Sequence, residues 1–471
     1  MNPTLIEKLK EVVTVLSALP GCSPVSVGGS VRDAVILGGT KNIESSLEFA
    51  SKDFDLEVFG ATSASVYAAL KGADIDVELV GRNFPVYKVH GWEIDISFPR
   101  LETKTGDGHT DFSIVVDSGM TFKAGAERRD FSVNAIGYDW KTKTLLDPYN
   151  GIKDIEAKIL NPVSEKFKED ALRVMRCFKF IARLGFTPSD QTLDYCYELA
   201  PALRGYARER LYPEWNDFLL HSKPEYIGMA MVFLINSGAI DLYPTLKALI
   251  VTPQHPEHHP EGNAFLHTIH CLEHYAKQVR DTLKEEDKLI VGYAVLTHDL
   301  GKASTTKMVD GGLVAYGHED TEDCRIFMSS LFDPADNIVS RVEKLVKAHM
   351  RPMMLYKVKS GASGLRRLNL AVEGRIDLLM KVVECDQGGR PPKPIDRQGI
   401  YWILDNSIQL FGMDTTVIKP IILGRHLITH LNLKPGPDFK PILTKMFEAQ
   451  LDGEFVDELS GIEYLKTHFS S

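Results

Sequence analysis

The sequence of 471 residues has few cysteines, and none of them form a recognisable pair. No Cys-x-x-Cys spacing occurs, which argues against a disulfide framework and against a cysteine zinc site. Scattered cysteines of this kind fit a reducing compartment, so we expect a cytoplasmic protein. The six cysteines are Cys22, Cys177, Cys196, Cys271, Cys324 and Cys385.

Long apolar runs are also absent. None approaches the ~20 residues that a membrane-spanning helix needs, so we expect no membrane partner. The N-terminal stretch MNPTLIEKLKEVV has no basic segment followed by an apolar core. It therefore predicts an amphipathic helix and not a signal peptide.

The chain has no excess of positive charge. Its 54 Lys and Arg against 64 Asp and Glu give a formal net charge of −10. The net charge argues weakly against nucleic-acid binding but does not exclude it, because a local basic face can still bind phosphates. A hydrophobic fraction of 44% is ordinary for a globular protein, and the length suggests roughly three domains.

Internal repeats and low-complexity segments are lacking as well. Residues 1–140 alternate helical patterns with short runs rich in Val, Ile and Phe, which predict a mixed α/β region. From residue 151 onward the apolar spacing is helical, interrupted by proline-rich breaks. The predicted strands are 25–29, 54–60, 76–81, 87–91, 92–97 and 131–139.

The first candidate site is the pair Asp53 and Asp55 in KDFDLEV. On a strand, residues two apart project from the same face. Paired carboxylates of this kind suit Mg²⁺, although most such pairs simply face solvent. A third carboxylate, Asp95, lies on a later predicted strand, and the sequence does not decide between Asp95 and its neighbour Glu93.

A glycine-containing turn precedes these carboxylates. Gly28, Gly29 and Ser30 close one strand and open a helix that carries Arg32. Glycines allow a phosphate chain to approach the backbone closely, and helix N-terminal amides favour anions. Arg32 can donate to a phosphate oxygen from the first turn of that helix.

Three carboxylates from two strands can hold two metal ions. One ion would lower the pKa of an attacking hydroxyl, and the other would neutralise a leaving pyrophosphate. The pattern thus predicts phosphoryl-type transfer in which Asp53, Asp55 and Asp95 are the catalytic residues.

Two motifs carry a family resemblance. VGGSVRDAVILG (27–38) followed by DFDLEV (53–58) resembles the first signature of the DNA polymerase beta nucleotidyltransferase superfamily, in its class II tRNA nucleotidyltransferase version. RRDFSVNA (128–135) resembles the second motif, a strand that faces the nucleotide sugar and phosphates. The resemblance implies nucleotide-binding roles for Arg129, Asp130 and Asn134.

Three further motifs follow in the family's order. LLDPYNGIKDIEAKIL (145–160) resembles the third motif, which links head and neck, and RERLYPE (208–214) resembles the fifth. Asp170, Arg173 and Arg176 lie in a match to the fourth. We predict that Asp170 and Arg173 share a helix face and read the base edge of CTP or ATP, the alternative being a surface ion pair.

The sequence departs from the family pattern in two places. Ser30 stands where alanine is usual, and KNIESSLEFAS (41–51) looks like an insertion that we expect to form a surface loop. Residues 100–112 resemble the flexible loop of enzymes that add the terminal A, which favours full CCA addition over partial addition.

A second candidate site lies in the helical part. The adjacent pair His298-Asp299, with His267 upstream and Asp386 downstream, resembles the HD phosphohydrolase superfamily, whose members bind a metal through these four positions. His318 and His349 lie where two-metal members place extra ligands. Imidazole with carboxylate suits a transition metal such as Ni²⁺ or Mn²⁺. The alternative is a degenerate domain kept as a scaffold for tRNA.

Together the two sites resemble the bacterial CCA-adding subgroup that carries a C-terminal HD domain. The resemblance implies an α+β fold with a small polymerase beta-like head, an all-α neck, an HD body and C-terminal helices. It also implies CCA addition to tRNA from CTP and ATP with Mg²⁺ in the head, and phosphatase, 2′-nucleotidase and 2′,3′-cyclic phosphodiesterase activities in the HD domain. The domains we expect are 1–140, 141–250, 251–400 and 401–471.

Two other functions stay open from the sequence. A poly(A) polymerase shares the head motifs, and a non-catalytic RNA-binding derivative would keep the fold. Whether the protein is a monomer or a homodimer also stays open. The basic residues we expect to contact tRNA lie on the predicted neck helix and in the body: Arg173, Arg176, Lys179, Arg183, Lys357, Lys359, Arg366 and Arg367.

Overall fold

The computed structural model describes residues 4–50, 53–80, 85–104, 112–117, 119–412 and 416–469. It divides into two compact units. The first contains 1–205 with 234–239, and the second contains 206–233 with 240–471. The finer division into four domains stays a prediction.

The first unit is built on a seven-stranded mixed sheet in the order β3-β4-β5-β2-β1-β8-β9. Strands β2 and β5 at its centre are parallel, and the other neighbours are antiparallel. The strands of this unit are β1 (Ser23–Val27), β2 (Phe54–Phe59), β3 (Val77–Val80), β4 (Val86–Val89), β5 (Ile94–Ser97), β6 (Arg100–Lys104), β7 (Phe112–Val116), β8 (Gly137–Asp139), β9 (Thr144–Leu146), β10 (Ile159–Leu160) and β11 (Thr187–Pro188).

The helices of the first unit include the predicted N-terminal one. Thr4 caps it, and Thr4 and Glu7 exchange side-chain to backbone hydrogen bonds, while Leu9 and Leu16 are buried. The amphipathic helix predicted there is confirmed. The helices are α1 (Leu5–Ser17), α2 (Gly29–Gly38), α3 (Ile43–Ala50), α4 (Ser63–Gly72), α5 (Phe122–Ala126), α6 (Gly151–Ala157), α7 (Leu172–Leu184) and α8 (Asp190–Leu199).

Two local predictions in this unit were wrong. The insertion at 41–51 is not a loop: it contains α3, which packs on α2 and buries Ile43 and Leu47. Its apolar spacing supports a helix because those two side chains share one face. Residues 131–139 are not one strand either, since Ser132–Asn134 form a 3-10 turn before β8 begins at Gly137.

The loop predicted at 100–112 lies partly outside the described residues. Residues 100–104 and 112 of the predicted loop lie in strands β6 and β7, which pair antiparallel. Residues 105–111, which join the two strands, lie outside the described residues.

The second unit is almost entirely helical, with one short hairpin of β12 (Lys307–Val309) and β13 (Gly312–Val314). The last three residues of α10 belong to the first unit. The helices are α9 (Arg208–His221), α10 (Pro224–Asn236), α11 (Pro244–Ala248), α12 (Ala264–His274), α13 (Glu285–Thr297), α14 (Lys302–Thr305), α15 (Asp323–Leu331), α16 (Asn337–Ala348), α17 (Arg351–Lys357), α18 (Ala362–Ala371), α19 (Ile376–Gly388), α20 (Arg397–Phe411), α21 (Gly424–Leu431), α22 (Phe439–Asp452) and α23 (Glu458–Phe469).

Buried aromatic residues form part of the core of this unit. The ring of Trp215 packs edge-on against Tyr243, Phe218 and Phe327, and its indole nitrogen donates to the Tyr243 hydroxyl at 2.8 Å. The predicted fold class, a mixed α/β head followed by a mostly helical remainder, is confirmed. Among the residues that the structure describes, none of the helices combines the length and the hydrophobicity that a membrane span requires.

Candidate active sites

The three predicted catalytic carboxylates come together at the centre of the sheet. The parallel register of β2 and β5 places Asp55 opposite Asp95, so both project from the same face. Asp53 stands two residues before Asp55. Glu93 precedes β5 and contributes its backbone carbonyl to the amide of Phe54. The register therefore favours Asp95 over Glu93.

Mutual repulsion marks this group as suited to a cation. Desolvation raises the pKa of Asp55, and the neighbouring charges of Asp53 and Asp95 raise it further, while Arg129 opposes the shift. A divalent cation would relieve that repulsion, and carboxylate oxygens are the ligands that Mg²⁺ prefers. The donor set thus fits the predicted metal.

The glycine turn passes directly beside these carboxylates. Gly28 has φ +75°, and a Cβ there would lie 3.7 Å from both the Asp55 carboxylate and the Arg129 guanidinium. Glycine is favoured because it adopts this backbone conformation and leaves the space open. Gly29 begins α2, and the buried Ser30 hydroxyl donates to the carbonyl of Val27 at 3.2 Å. The Ser30 hydroxyl therefore stabilises the turn.

Four of the predicted nucleotide-binding residues form one hydrogen-bonded chain. The buried Arg32 on α2 donates to the Asn134 side-chain oxygen at 2.7 Å. Asn134 donates to Asp130 at 2.9 Å, and Arg176 on α7 donates to the other Asp130 oxygen at 2.7 Å. The chain joins two helices through the 3-10 turn between them and fixes the two guanidinium groups.

Asp130 is the anionic centre of this chain. Burial opposes its ionisation, but the charge of Arg176 and hydrogen bonds from Asn134 and the Phe131 amide outweigh burial and lower the pKa of Asp130 to about 2. Because the pKa is depressed, the stabilisation is present above the ordinary value of 3.8 and is lost as pH falls through about 2.

We expect Asp130→Asn to destabilise the protein because Arg176 would lose its counter-charge. The difference in unfolding free energy from the unmodified chain should be about 2 kcal/mol at pH 7 and about half of that at pH 3. Urea unfolding at both pH values measures it. Asp194→Asn, at an exposed position in the middle of α8, is the control and should show little difference at either pH. An equal loss at both pH values for Asp130→Asn would contradict the ionic contribution.

Arg129 is held by a residue that the sequence motifs did not indicate. Glu57 on β2 is buried and accepts from Arg129 at 3.0 Å and from Arg128 at 3.1 Å. Glu57 follows Asp55 by two residues, and a third acidic residue in DFDLEV was the available signal. This pairing fixes the Arg129 guanidinium next to Asp55.

The predicted helical pairing of Asp170 with Arg173 was wrong. Helix α7 begins at Leu172, so Asp170 lies just before it with extended backbone, and its carboxylate accepts from the Leu172 amide at 3.0 Å. Arg173 donates to the backbone carbonyls of Arg128 and Lys166. Asp170 is therefore not part of α7. It ends the preceding 3-10 turn, and its side chain caps the first turn of α7.

The HD residues are brought together from separate elements of the second unit. His267 lies on α12, His298 and Asp299 follow the end of α13, and Asp386 lies near the end of α19. Nε2 of His267 is 3.1 Å from the Asp386 carboxylate and 3.4 Å from that of Asp299. Nε2 of His298 is 3.3 Å from Asp299 and 4.0 Å from Asp386. These distances unite all four predicted ligands.

His318 and His349 extend this cluster on the other side of Asp299. Nε2 of His318 is 3.2 Å from the second Asp299 oxygen and 3.3 Å from Nε2 of His349. Both imidazoles are buried. Asp299 therefore lies between two groups of imidazoles, one oxygen toward each.

The imidazoles are oriented as metal ligands are. Nδ1 of His298, His318 and His349 lies 2.6–2.8 Å from a backbone carbonyl three residues earlier. Each such bond fixes the tautomer and leaves Nε2 pointing into the cluster. Nε2 of His298, on a side chain only 1% exposed, makes no hydrogen bond within the described part of the chain. A buried nitrogen that faces carboxylates and makes no hydrogen bond fits a metal ion.

Two residues next to the cluster were missed as well. The buried Glu261 carboxylate lies 2.8 Å from Nδ1 of both His267 and His259. Lys302 lies 2.7 Å from Asp299 and donates to Gln254. Glu261 and Lys302 lie in the sequences HPEG (259–262) and HDLGK (298–302), and neither sequence predicted these contacts.

The predicted tRNA-contacting residues on the neck helix largely bond within the first unit. Arg183 donates to Asp33 at 3.1 Å, in addition to the contacts of Arg173 and Arg176 given above. In the second unit, Arg367 pairs with Glu448 and Asp452. Lys359 lies over the ring of Tyr356, at 3.6 Å from its centroid. An RNA-binding role for these residues stays a prediction.

Both the head and the overall fold of this chain resemble those of known proteins. Residues 25–161 match the family described as the Poly A polymerase head domain. A CCA-adding enzyme from Bacillus stearothermophilus, solved in complex with CTP, superposes with a TM-score of 0.62 at 18% identity, covering 99% of both chains. The Thermotoga maritima CCA-adding enzyme, solved with tRNA, gives a TM-score of 0.56 over 98% of this chain and 97% of that one, at 17% identity. The family match assigns residues 25–161 to a head of the Poly A polymerase type, and the two structures show that the chain shares their fold.

Curated relatives identify the family. A multifunctional CCA protein of Acinetobacter baumannii is 30% identical over 377 residues, covering 77% of this chain and 84% of that protein. One of Stenotrophomonas maltophilia is 36% identical over 284 residues, covering 59% of this chain. The chain spans about 64% of the length of the Stenotrophomonas protein. The chain belongs to the family of multifunctional CCA proteins.

Proposed function

We propose that this chain adds the 3′-terminal CCA of tRNA from CTP and ATP with release of pyrophosphate. The observation that carries the proposal is the parallel register of Asp55 and Asp95 beside the Gly28 turn. Membership of the CCA protein family supports the choice of tRNA, CTP and ATP over other substrates.

Each predicted site residue of the head has a role in this proposal. Asp53, Asp55 and Asp95 hold the divalent cations, for which Mg²⁺ is the expected ion. When bound, these ions would lower the pKa of the primer 3′-hydroxyl and neutralise the pyrophosphate that leaves. Positioning and charge stabilisation then supply most of the catalysis.

The nucleotide is held by the turn and the arginines around it. The backbone at Gly28, Gly29 and Ser30 approaches the triphosphate, and Arg32 donates to it from the first turn of α2. Arg129 contacts the phosphates from beside Asp55. Hydrogen bonds through Asn134 and Asp130 hold the guanidinium groups of Arg32 and Arg176 in fixed positions.

Base selection is assigned to Asp170 and Arg173, with Arg176 one turn on. Asp170 offers carboxylate acceptors next to the start of α7. Arg173 uses two of its five N–H donors on backbone carbonyls, and the remaining donors can pair with a base edge. A rigidly held guanidinium and carboxylate would admit cytosine and adenine and reject guanine and uracil.

We also propose a second, hydrolytic activity at the HD cluster. Nε2 of His298 is buried and makes no hydrogen bond in the described residues, and the imidazoles have fixed orientations; both features support a metal site there. His267, His298, Asp299 and Asp386 would hold one ion, and His318 and His349 with Asp299 would hold a second. Ni²⁺ or Mn²⁺ suits this nitrogen-rich set. The substrates are 2′,3′-cyclic phosphates and phosphomonoesters at damaged RNA ends.

The direct test is extension of a radiolabelled tRNA that lacks CCA, in Mg²⁺, with CTP alone, ATP alone and both. We expect two C residues from CTP, and a single final A only when both nucleotides are present. A long A tract from ATP alone would replace the proposal with a poly(A) polymerase. No incorporation under any condition would leave the HD cluster as the only candidate activity.

A further inference from the structure

We propose that Cys271 is an additional, thiolate ligand of the metal site formed by His267, His298, Asp299 and Asp386. This inference rests on the proposed HD metal site and adds a ligand that the His…His-Asp…Asp pattern does not contain. Cys271 follows His267 by four residues on α12, so both side chains lie on the same helix face.

The distances place the thiol among the ligand atoms. The Cys271 sulfur is 3.4 Å from Nε2 of His267. Ligand atoms of Cys271, His267 and His298 all lie within 4.8 Å of one another, and all three residues are buried. Neighbouring ligands bonded to one ion at roughly 2.0–2.3 Å stand about 3.0–3.6 Å apart, so the sulfur occupies a ligand position.

A second observation, beside the position of the sulfur, points to a ligand at this place. Nε2 of His298 faces the same space, on a side chain 1% exposed, without a hydrogen bond in the described residues. The end of α19 also approaches the sulfur closely at Gly389, where a Cβ would lie 2.2 Å from it. Because residue 389 is a glycine, the end of α19 can pack closely against α12, which places Asp386 near the Cys271 sulfur and His267.

A thiolate changes the chemistry of the site. Binding of a divalent ion forms a metal–sulfur bond, and the thiol proton passes to the buffer. Sulfur, nitrogen and oxygen together favour borderline ions such as Zn²⁺, Co²⁺ and Ni²⁺ over Mg²⁺ and Mn²⁺. The cluster should therefore discriminate between metals more strongly than an all-nitrogen and oxygen site.

The test is titration of the full-length, metal-free protein with Co²⁺, followed by absorption spectroscopy. A thiolate ligand gives an intense sulfur-to-cobalt charge-transfer band in the near ultraviolet, which carboxylates and imidazoles do not give. We expect this band in the unmodified chain and its loss in Cys271→Ser. Affinity for Co²⁺ should fall by about tenfold or more in that variant. Thermal unfolding of the same samples shows that each variant is folded.

Two control variants separate the possible outcomes. Cys324→Ser removes another buried thiol of the same unit, one that donates to Thr297, and should keep the band. Two results together would overturn the ligand role of Cys271 but not the metal site. They are an unchanged affinity for Co²⁺ in Cys271→Ser and the lack of a charge-transfer band in the unmodified chain. Equal metal content in the unmodified chain and in His298→Ala would overturn the metal site and the Cys271 role together.

Discussion

Replacing Asp55 by asparagine should reduce nucleotide incorporation into tRNA by about 1000-fold. The substitution keeps size and hydrogen bonding but removes one of three charges that hold the catalytic cations. The register of β2 with β5 leaves no other carboxylate opposite Asp95, so compensation is not expected. Single-turnover extension with CTP and Mg²⁺ measures the loss.

Glu93→Gln is the matched control for this prediction. It removes a carboxylate two residues from Asp95, but Glu93 is exposed and precedes β5. We expect near-normal incorporation from it. Large losses from Glu93→Gln with a mild effect of Asp55→Asn would show that the register does not define the catalytic set. Because burial, together with the charges of Asp53 and Asp95, raises the pKa of Asp55, removal of the Asp55 charge should not destabilise the fold at neutral pH.

The second large effect is expected at the HD cluster. His298→Ala and Asp299→Ala should each reduce Ni²⁺-supplemented hydrolysis of 2′,3′-cyclic AMP by about 100-fold or more, since each removes a metal ligand. Chelation of the metal should do the same to the unmodified chain. Addition of CCA should be retained in both variants, because their residues lie in the second compact unit and the head carboxylates lie in the first.

A histidine outside the cluster provides the comparison. His270 lies three residues after His267 on α12, is partly exposed and pairs with Glu273. His270→Ala should leave hydrolysis nearly unchanged. Undiminished hydrolysis in both His298→Ala and Asp299→Ala would remove the second activity and favour a scaffold role for this unit. Thermal unfolding of the variants separates lost chemistry from lost structure.

Local patterns predicted the elements that carry the head. Alternation of Val, Ile and Phe predicted the central strands, and the glycine pair predicted the start of α2. The insertion shows where such reasoning fails. Its surface position was inferred from spacing alone, whereas the burial of Ile43 and Leu47 depends on α2 lying opposite them. A segment of eight residues has little helical stability of its own, so tertiary packing decides its structure.

The choice between Asp95 and Glu93 could not be made from the sequence. Both are acidic, and both stand at the correct alternation for one face of a strand. Only the pairing of β5 with β2 shows that Asp95 opposes Asp55 while Glu93 lies before the strand. Register depends on contacts between distant segments, which local sequence does not encode.

What the sequence by itself determined is the inventory of chemistry: the carboxylates of the head, the glycine turn, and the histidines and aspartates of the HD cluster. What only the tertiary structure decided is which groups touch. The hydrogen-bonded chain of the head joins Arg32 to Arg176, which are 144 positions apart in the sequence, through Asn134 and Asp130. Cys271 contacts Asp386, which lies 115 positions further along the chain. Residue type follows from the chemistry a site needs, but contacts over such separations exist only once the helices and strands have packed.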